Sequence, residues 1–234
     1  MSENMNILKI RLRDARFGYR HYVAALRTLS GSLKDRTFGH YPEPDTPELL
    51  YRAFENGCHG RHSKELGFRS SDQPLSHPVY HDGTLLDSMI VDEEVLRNHC
   101  ERIQPSNLIA LSDSPSRILK IIQALRYPDM DRDMIAVINT SRLLAMGVLF
   151  NRTTTFAEKF GMELWKVDLP TGLQYANYNY WVAYRWIPAE CIECYISGSC
   201  LREACDRLGI AKNDSNARLS LDEILPLRFQ SLST

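Results

Sequence analysis

The stretch NLIALSDSPSRILKIIQAL, residues 107–125, decides the fold class of this chain. Leu108–Leu111 is a short apolar run that predicts a buried strand, and Ser112–Ser114 form a polar turn. Ser114 is a good N-cap and Pro115 a good first helical residue, so a helix is predicted to begin there. Strand, turn and helix follow one another directly, which predicts a fold that mixes both element types.

Further short elements flank this stretch on both sides. Their irregular order predicts an α+β fold rather than a regular βαβ repeat. Strands are predicted at Leu49–Phe54, at Met134–Asn139, at Trp181–Trp186 and from Cys191 to Ile196. Helices are predicted within Leu85–Cys100, at Thr153–Phe160, at Leu201–Leu208 and after the capping-box pair Ser220 and Glu223. The predicted buried strand residues are Ile109, Leu111, Ile135, Val137, Val182 and Ile192.

Composition divides the chain into three parts. Residues 1–38 contain a basic stretch, residues 9–36, in which eight lysines and arginines stand against two aspartates. Its apolar residues recur in steps of three and four, which predicts an amphipathic helix with a cationic outer face. Residues 39–48, GHYPEPDTPE, form a proline-rich linker, and residues 49–234 form the main domain. The basic helix is either a solvated helix packed on the domain or a surface for tRNA or another polyanion.

The overall composition excludes several classes of protein. The 234 residues carry a net charge of −1, with 44% hydrophobic and 24% charged residues, as in ordinary globular domains. No apolar run approaches the ~18–20 residues of a membrane span, and no secretory signal is visible. We therefore expect a cytoplasmic protein with reduced thiols and no membrane partner. The spacing of Cys191, Cys194, Cys200 and Cys205 does not suit a zinc ribbon or finger, so no metal site is predicted.

Arg52 is a charged residue inside the otherwise apolar strand LLYRAF, residues 49–54. By simple alternation it could face solvent at a sheet edge. Alternatively, it lines a cleft and aims its guanidinium at a phosphate or carboxylate, because an unpaired charge in an apolar strand is costly to bury. Both interpretations are open from the sequence.

The order of several segments resembles a known pattern. These segments are LLYRAF, the G-x-x-S-K-E-L-G-F segment of residues 60–68, LIALSDSPSRILKII, IAVINTSRL and YWVAYRWIPAECIECYI. Over residues 48–208 this order resembles a fungal domain family of unassigned function that is similar to ADP-ribosyltransferases. The resemblance implies a split, strongly bent β-sheet surrounded by helices, with a cleft between its halves.

The resemblance also implies a transferase that uses NAD. Arg52 of the first strand would hold the pyrophosphate, and Ser112 or Ser114 would contact the ribose side. An aromatic wall would come from Tyr178, Tyr180 and Trp181. The place of the catalytic glutamate of such enzymes is held here by Tyr180 or Asn179, and neither is anionic.

A second similarity implies a different partner. Fungal arginine-containing cyclodipeptide synthases are small proteins of this length that use aminoacyl-tRNA in specialised metabolism. The basic segment 9–36 would suit a tRNA backbone, since phosphate contacts dominate such binding. The acidic motif of those enzymes is matched only approximately, by VDEEV (91–95) and AECIE (189–193). A third reading is a non-catalytic binding module on the same scaffold.

Overall fold

The structure is a computed structural model, and it describes residues 44–54, 61–64, 66–71, 91–101, 106–124, 134–162, 167–168, 173–174 and 177–229. The basic helix predicted within residues 9–36 lies outside these ranges, as do residues 39–43 of the predicted linker. The division of the chain into three parts stays a prediction.

Short strands and helices alternate without a regular repeat. The strands are β1 (Leu49–Phe54), β2 (Arg61–Ser63), β3 (Gly67–Arg69), β4 (Leu108–Ser112), β5 (Met134–Asn139), β6 (Phe150–Arg152), β7 (Val167–Asp168), β8 (Leu173–Gln174), β9 (Tyr180–Tyr184), β10 (Trp186–Ile187) and β11 (Ile192–Ser197). The α-helices are α1 (Glu93–Cys100), α2 (Pro115–Ala124), α3 (Thr140–Met146), α4 (Thr153–Phe160), α5 (Gly198–Arg207) and α6 (Leu221–Ile224). Short 3-10 helices span Ala189–Cys191 and Leu225–Phe229. The predicted α+β class is confirmed.

The strands form antiparallel sheets. The largest has six strands in the order β11-β5-β1-β4-β9-β6, a second has three in the order β10-β3-β2, and β7 pairs with β8. β1 pairs with β5 along its whole length, from Leu49 opposite Asn139 to Phe54 opposite Met134. Its register with β4 consists of one pair, Tyr51 opposite Ser112. The six-stranded sheet therefore opens between β1 and β4 beyond Tyr51.

Alternation along β1 divides the core between the two faces of the large sheet. Leu49 and Tyr51 point to a layer made by α2, α5 and α6, whose buried residues include Ile118, Leu201 and Ile224. Leu50 and Phe54 point to the other face, where they pack with Phe68 of β3 and Ile187 of β10. A third cluster joins α1 and α4 to β9 through Leu96, Phe156 and Val182. Polar residues lie at the ends of β4 and β9, next to these apolar layers.

The chain passes from the six-stranded to the three-stranded sheet at Arg185. This residue has a left-handed φ of 60°, an uncommon conformation for a residue with a Cβ. Its amide donates to the Asn107 carbonyl at 2.8 Å, and its carbonyl accepts from Ser70 N at 2.9 Å. Nearby Gly67 has φ 82°, and a Cβ there would lie 2.1 Å from the Ile187 carbonyl oxygen. Only glycine lets β3 approach β10 this closely.

Most predicted elements and core residues are confirmed. Five of the six predicted strand residues are buried, Ile109, Leu111, Ile135, Val137 and Val182. Ile192 was predicted to be buried and is only half-buried, because it opens β11 directly after a 3-10 turn. The predicted strand Trp181–Trp186 is wrong in extent, since the turn at Arg185 divides it between two sheets. The strand predicted from Cys191 begins at Ile192, and the helix predicted from Leu201 begins at Gly198.

Candidate functional site

Arg52 lies where β1 separates from β4. Its Nη1 donates to the Ala110 carbonyl of β4 at 2.7 Å, so a side chain joins the two strands there. Its guanidinium carbon lies 5.2 Å from the centre of the Phe68 ring, within cation–π range. Arg52 and Ala110 are half-buried, whereas Phe68 is fully buried. The guanidinium is thus held by a carbonyl dipole and an aromatic face at an opening of the sheet.

A buried histidine lies within electrostatic range of this guanidinium. His99 of α1 is hydrogen-bonded through Nδ1 to Ser106 Oγ at 2.8 Å and through Nε2 to the Tyr180 hydroxyl at 3.0 Å. Burial, helped by the positive charge of Arg52, lowers the pKa of His99 to about 3. His99 is therefore neutral at physiological pH, and it fixes the Tyr180 hydroxyl through an uncharged hydrogen bond.

Arg117 of α2 places a guanidinium over the Tyr180 ring. Its guanidinium carbon lies 5.1 Å from the Tyr180 ring centre. Burial lowers the pKa of Arg117 from its usual value, although an arginine remains charged at any physiological pH. We call Arg52, His99, Arg117 and Tyr180 the Arg52 cluster. It combines two cations with a neutral histidine and a phenol, a combination suited to an anionic group with an aromatic portion.

A second polar cluster surrounds Asp113, which follows β4 directly. Asp113 is fully buried, and its Oδ1 accepts from Asn179 Nδ2 at 2.9 Å. Its Oδ2 accepts from Arg218 Nη2 at 2.9 Å and lies 3.9 Å from Arg152 Nη2. Asn179 Nδ2 also donates to the Ser215 carbonyl at 2.9 Å. Asp113 therefore ties the segment before α6 to the end of the sheet.

Arg152, the last residue of β6, forms the outer half of this cluster. Its side chain is only 5% exposed, and its guanidinium carbon lies 3.7 Å from the Tyr178 ring centre and 4.6 Å from that of Trp181. Nη1 donates to Asp45 Oδ2 at 2.9 Å, and the Tyr178 hydroxyl donates to the same oxygen. Hydrogen bonds from Tyr178 and Arg152 lower the pKa of Asp45. We call Asp45, Asp113, Arg152, Tyr178, Asn179 and Arg218 the Asp113 cluster.

The predicted site residues divide between these two clusters. Arg52 and Tyr180 are connected through His99, which bonds the Tyr180 hydroxyl and whose pKa the Arg52 charge helps to lower, whereas Tyr178 and Trp181 flank Arg152. Ser112 and Ser114 are fully buried. The Ser112 hydroxyl oxygen accepts from Ser114 N at 3.2 Å, and the Ser114 hydroxyl caps α2 by accepting from Arg117 N at 3.3 Å. Both described hydroxyl contacts thus shape the turn after β4.

Sequence reasoning did not single out His99, Asp113 or Arg152 as site residues. Asp113 had a usable signal, because it is a carboxylate in the turn after an apolar strand, where buried charge needs a partner. Arg152 and His99 carried none, since their partners Asp45 and Tyr180 lie 107 and 81 residues away in sequence. Two glutamates, Glu163 and Glu190, lie nearest in sequence to the position of the catalytic glutamate implied by the resemblance: Glu190 is exposed and belongs to neither cluster, and Glu163 lies outside the described residues.

Other predicted features are placed as follows. Cys191, Cys194, Cys200 and Cys205 are all buried and unpaired by disulfide bonds. Within the described ranges, no group of three or more histidine, cysteine or acidic side chains could hold a metal ion. In the same part of the chain, no helix is long and apolar enough to cross a bilayer. The tRNA surface predicted on residues 9–36 lies outside these ranges.

Comparison with known proteins gives one match. The sequence model of a protein family described as a domain of unknown function, DUF7587, matches residues 45–201. The matched range begins at Asp45 and contains both clusters except Arg218. No curated protein and no solved structure matches the chain.

Proposed function

The chain belongs to the DUF7587 family, and from that premise we propose that its domain binds a phosphate-bearing nucleotide at the Arg52 cluster, with NAD as the first ligand to test. Arg52 has the phosphate-holding role that the resemblance to ADP-ribosyltransferases implies, and His99, Arg117 and Tyr180 supply the remaining contacts with the nucleotide.

The position of Arg52 is the observation that carries this proposal. A guanidinium is half-buried where two strands separate, and it contacts a neutral carbonyl at 2.7 Å and an aromatic face at 5.2 Å. These contacts orient the side chain at the opening between the two strands. A phosphate that approached the opening would add a charge-assisted hydrogen bond, which is stronger than a neutral one.

The neighbouring groups support the same class of ligand. Arg117 supplies a positive charge beside the Tyr180 ring, in addition to the Arg52 charge that acts on His99, and the diphosphate of a dinucleotide carries two negative charges. His99 is neutral, so it adds no third cation, and its hydrogen bond holds the Tyr180 hydroxyl at a fixed position. The Tyr180 ring and hydroxyl are suited to contact a sugar or base next to the phosphates.

The same residues support binding better than rapid ADP-ribosyl transfer. An oxocarbenium-like transition state needs a nearby negative charge. The two positions considered for the glutamate hold Tyr180, bonded to His99, and Asn179, bonded to Asp113. We therefore place transferase chemistry second to nucleotide binding, with release of nicotinamide from NAD as its assay.

The test is calorimetric titration of NAD into the full-length wild-type protein and Arg52→Lys. Lysine keeps the charge but loses the planar fork that contacts both Ala110 and a phosphate. We expect Arg52→Lys to bind NAD about ten- to a hundredfold more weakly, the loss of a charge-assisted contact worth about 1.5–3 kcal/mol.

Arg97→Lys is the matched control, because Arg97 is an exposed arginine of α1 paired with Glu93 at 2.6 Å. Its NAD affinity should equal that of the wild type. Wild-type protein that does not bind NAD, or equal affinities for Arg52→Lys and Arg97→Lys, would contradict the proposal. Thermal unfolding of each variant identifies a loss of affinity that comes from misfolding.

A further inference from the structure

We propose that Arg152, Tyr178 and Trp181 form a second oxyanion site, the Arg152 site, whose present occupant is the chain's own Asp45 carboxylate. The ligand class is a phosphate or a carboxylate that replaces Asp45. This proposal is independent of nucleotide binding at Arg52.

The hydrogen bonds to Asp45 have the geometry of a recognition site. Arg152 Nη1 and the Tyr178 hydroxyl both donate to Asp45 Oδ2, while Arg152 Nη2 donates to the Asp45 backbone carbonyl at 3.3 Å. Three donors from two side chains thus converge on one residue. An external oxyanion with two or three acceptor oxygens matches the same donors.

Burial keeps the cation of this site in place. The Arg152 side chain is 5% exposed between the Tyr178 and Trp181 rings, whereas the side chain of Asp45 is 54% exposed. The recognising group is therefore fixed by packing, and its partner lies at the surface. A site built in this way needs little reorganisation to exchange one anion for another.

Asp45 supplies one of the two carboxylates that pair with Arg152. Arg152 and Arg218 bring two positive charges, and the buried Asp113 supplies one negative charge between them. Asp45 supplies the second negative charge. Without Asp45 the cluster carries one net positive charge at a partly buried position, which favours the uptake of an external anion.

Asp45 can be removed without undoing the strand that follows it. The chain is anchored just after Asp45 by Thr140, whose hydroxyl donates to the Pro47 carbonyl at 2.5 Å and whose amide donates to the Glu48 carbonyl at 3.1 Å. These bonds do not involve the Asp45 side chain. Substitution of Asp45 therefore opens the site while β1 stays in register.

The test uses inorganic phosphate and acetate as probes, at constant ionic strength with chloride as the balancing anion. Affinity is measured by tryptophan fluorescence and by the rise in Tm that any ligand of the folded state produces. Asp45→Ala should bind at least one probe about tenfold or more tightly than the wild type, because an internal occupant present about 90% of the time lowers apparent affinity about tenfold. Tighter binding of phosphate identifies a phosphate site, and tighter binding of acetate identifies a carboxylate site.

Asp206→Ala is the matched control, since it removes one exposed carboxylate from α5. It should bind both probes as the wild type does. Adding Tyr178→Phe to Asp45→Ala should weaken binding severalfold by removing one donor while keeping the ring on Arg152. Equal probe affinities for Asp45→Ala and Asp206→Ala, or no effect of Tyr178→Phe in the Asp45→Ala background, would overturn the proposal.

Discussion

Arg52 and Arg152 both project from strands of the six-stranded sheet, but different partners hold them. Arg52 contacts a backbone carbonyl and the Phe68 ring, whereas Arg152 contacts the carboxylates of Asp45 and Asp113. Arg52 is half-buried and Arg152 is buried. Burial of a charge is tolerated when an opposite charge accompanies it. The burial of Arg152 beside two carboxylates predicts a large contribution of the Asp113 cluster to stability, whereas Arg52 is the residue proposed to contact a nucleotide.

Substitution of Asp113, the buried carboxylate, is expected to have the largest effect on stability and is the strongest test of the role of the Asp113 cluster. Asp113→Ala leaves Arg218 and Asn179 without their shared acceptor and Arg152 without its inner ion-pair partner, at a fully buried position. We expect the free energy of unfolding to fall by about 3–5 kcal/mol, the usual cost of breaking a buried ion pair from one side. Urea unfolding followed by circular dichroism measures it.

Asp206→Ala serves again as the control, because this carboxylate is exposed and its loss should change stability by less than about 0.5 kcal/mol. If Asp113→Ala is as stable as this control, the Asp113 cluster does not hold the end of the sheet, and the contrast with Arg52 fails.

A pH titration of stability tests whether His99 of the Arg52 cluster is neutral in the folded protein. His99 has an ordinary pKa of 6.5 and a folded pKa of about 3 because of burial and the nearby Arg52 charge. Between these values the unfolded chain binds a proton that the folded chain does not. The contribution of neutral His99 to the free energy of unfolding is therefore fully present above about pH 6.5. It is lost as the pH falls toward 3, at about 1.4 kcal/mol per pH unit.

Comparison of variants separates the pH dependence of stability that is due to His99 from the pH dependence that is due to other titrating groups. His99→Gln has no titrating imidazole, so its stability should change less than that of the wild type between pH 6.5 and pH 4, by about 2–3 kcal/mol. Asn98→Ala, on the same helix, should retain the wild-type slope. Parallel slopes for wild type and His99→Gln would show that His99 is not held neutral by the fold.

Local patterns predicted the fold better than the site. The strand, turn and capped helix of residues 108–124 depend on near neighbours: Ser114 caps its own helix and Gly161 ends α4 with a φ of 62°. Such signals are local and therefore readable. The opening between β1 and β4 depends on how far two distant strands stay paired, and no local pattern records that.

The site residues show the same limit. Arg52 was identified because a charge inside an apolar strand needs an explanation, and the structure gives Arg52 two described contacts. Tyr178 and Trp181 were grouped with Arg52 because all three were assigned to one ligand. They instead flank Arg152, whose side chain meets theirs only after β6 pairs with β9. A sequence shows which residues need partners, but long-range pairing decides which partners they find.

The smallest expected effect comes from the outer half of the Asp113 cluster. Tyr178 is 51% exposed, and its hydroxyl donates to Asp45, which is itself exposed. Tyr178→Phe removes that hydrogen bond but leaves an aromatic ring on Arg152. Because solvent screens exposed polar contacts, the free energy of unfolding should fall by less than about 1 kcal/mol.

The Tyr178 hydroxyl is also the largest cause of the lowered pKa of Asp45, so in Tyr178→Phe this pKa should rise toward its ordinary value of 3.8. Since the folded pKa is the lowered one, the Asp45 contribution is present above pH 3.8 and is lost as the pH falls through the folded value. A carboxyl-carbon NMR titration of Asp45 measures the pKa, and urea unfolding measures stability. A loss for Tyr178→Phe as large as that for Asp113→Ala would mean that the outer carboxylate holds Arg152 as firmly as the inner one, and Asp45 would then be a structural partner that no external anion replaces.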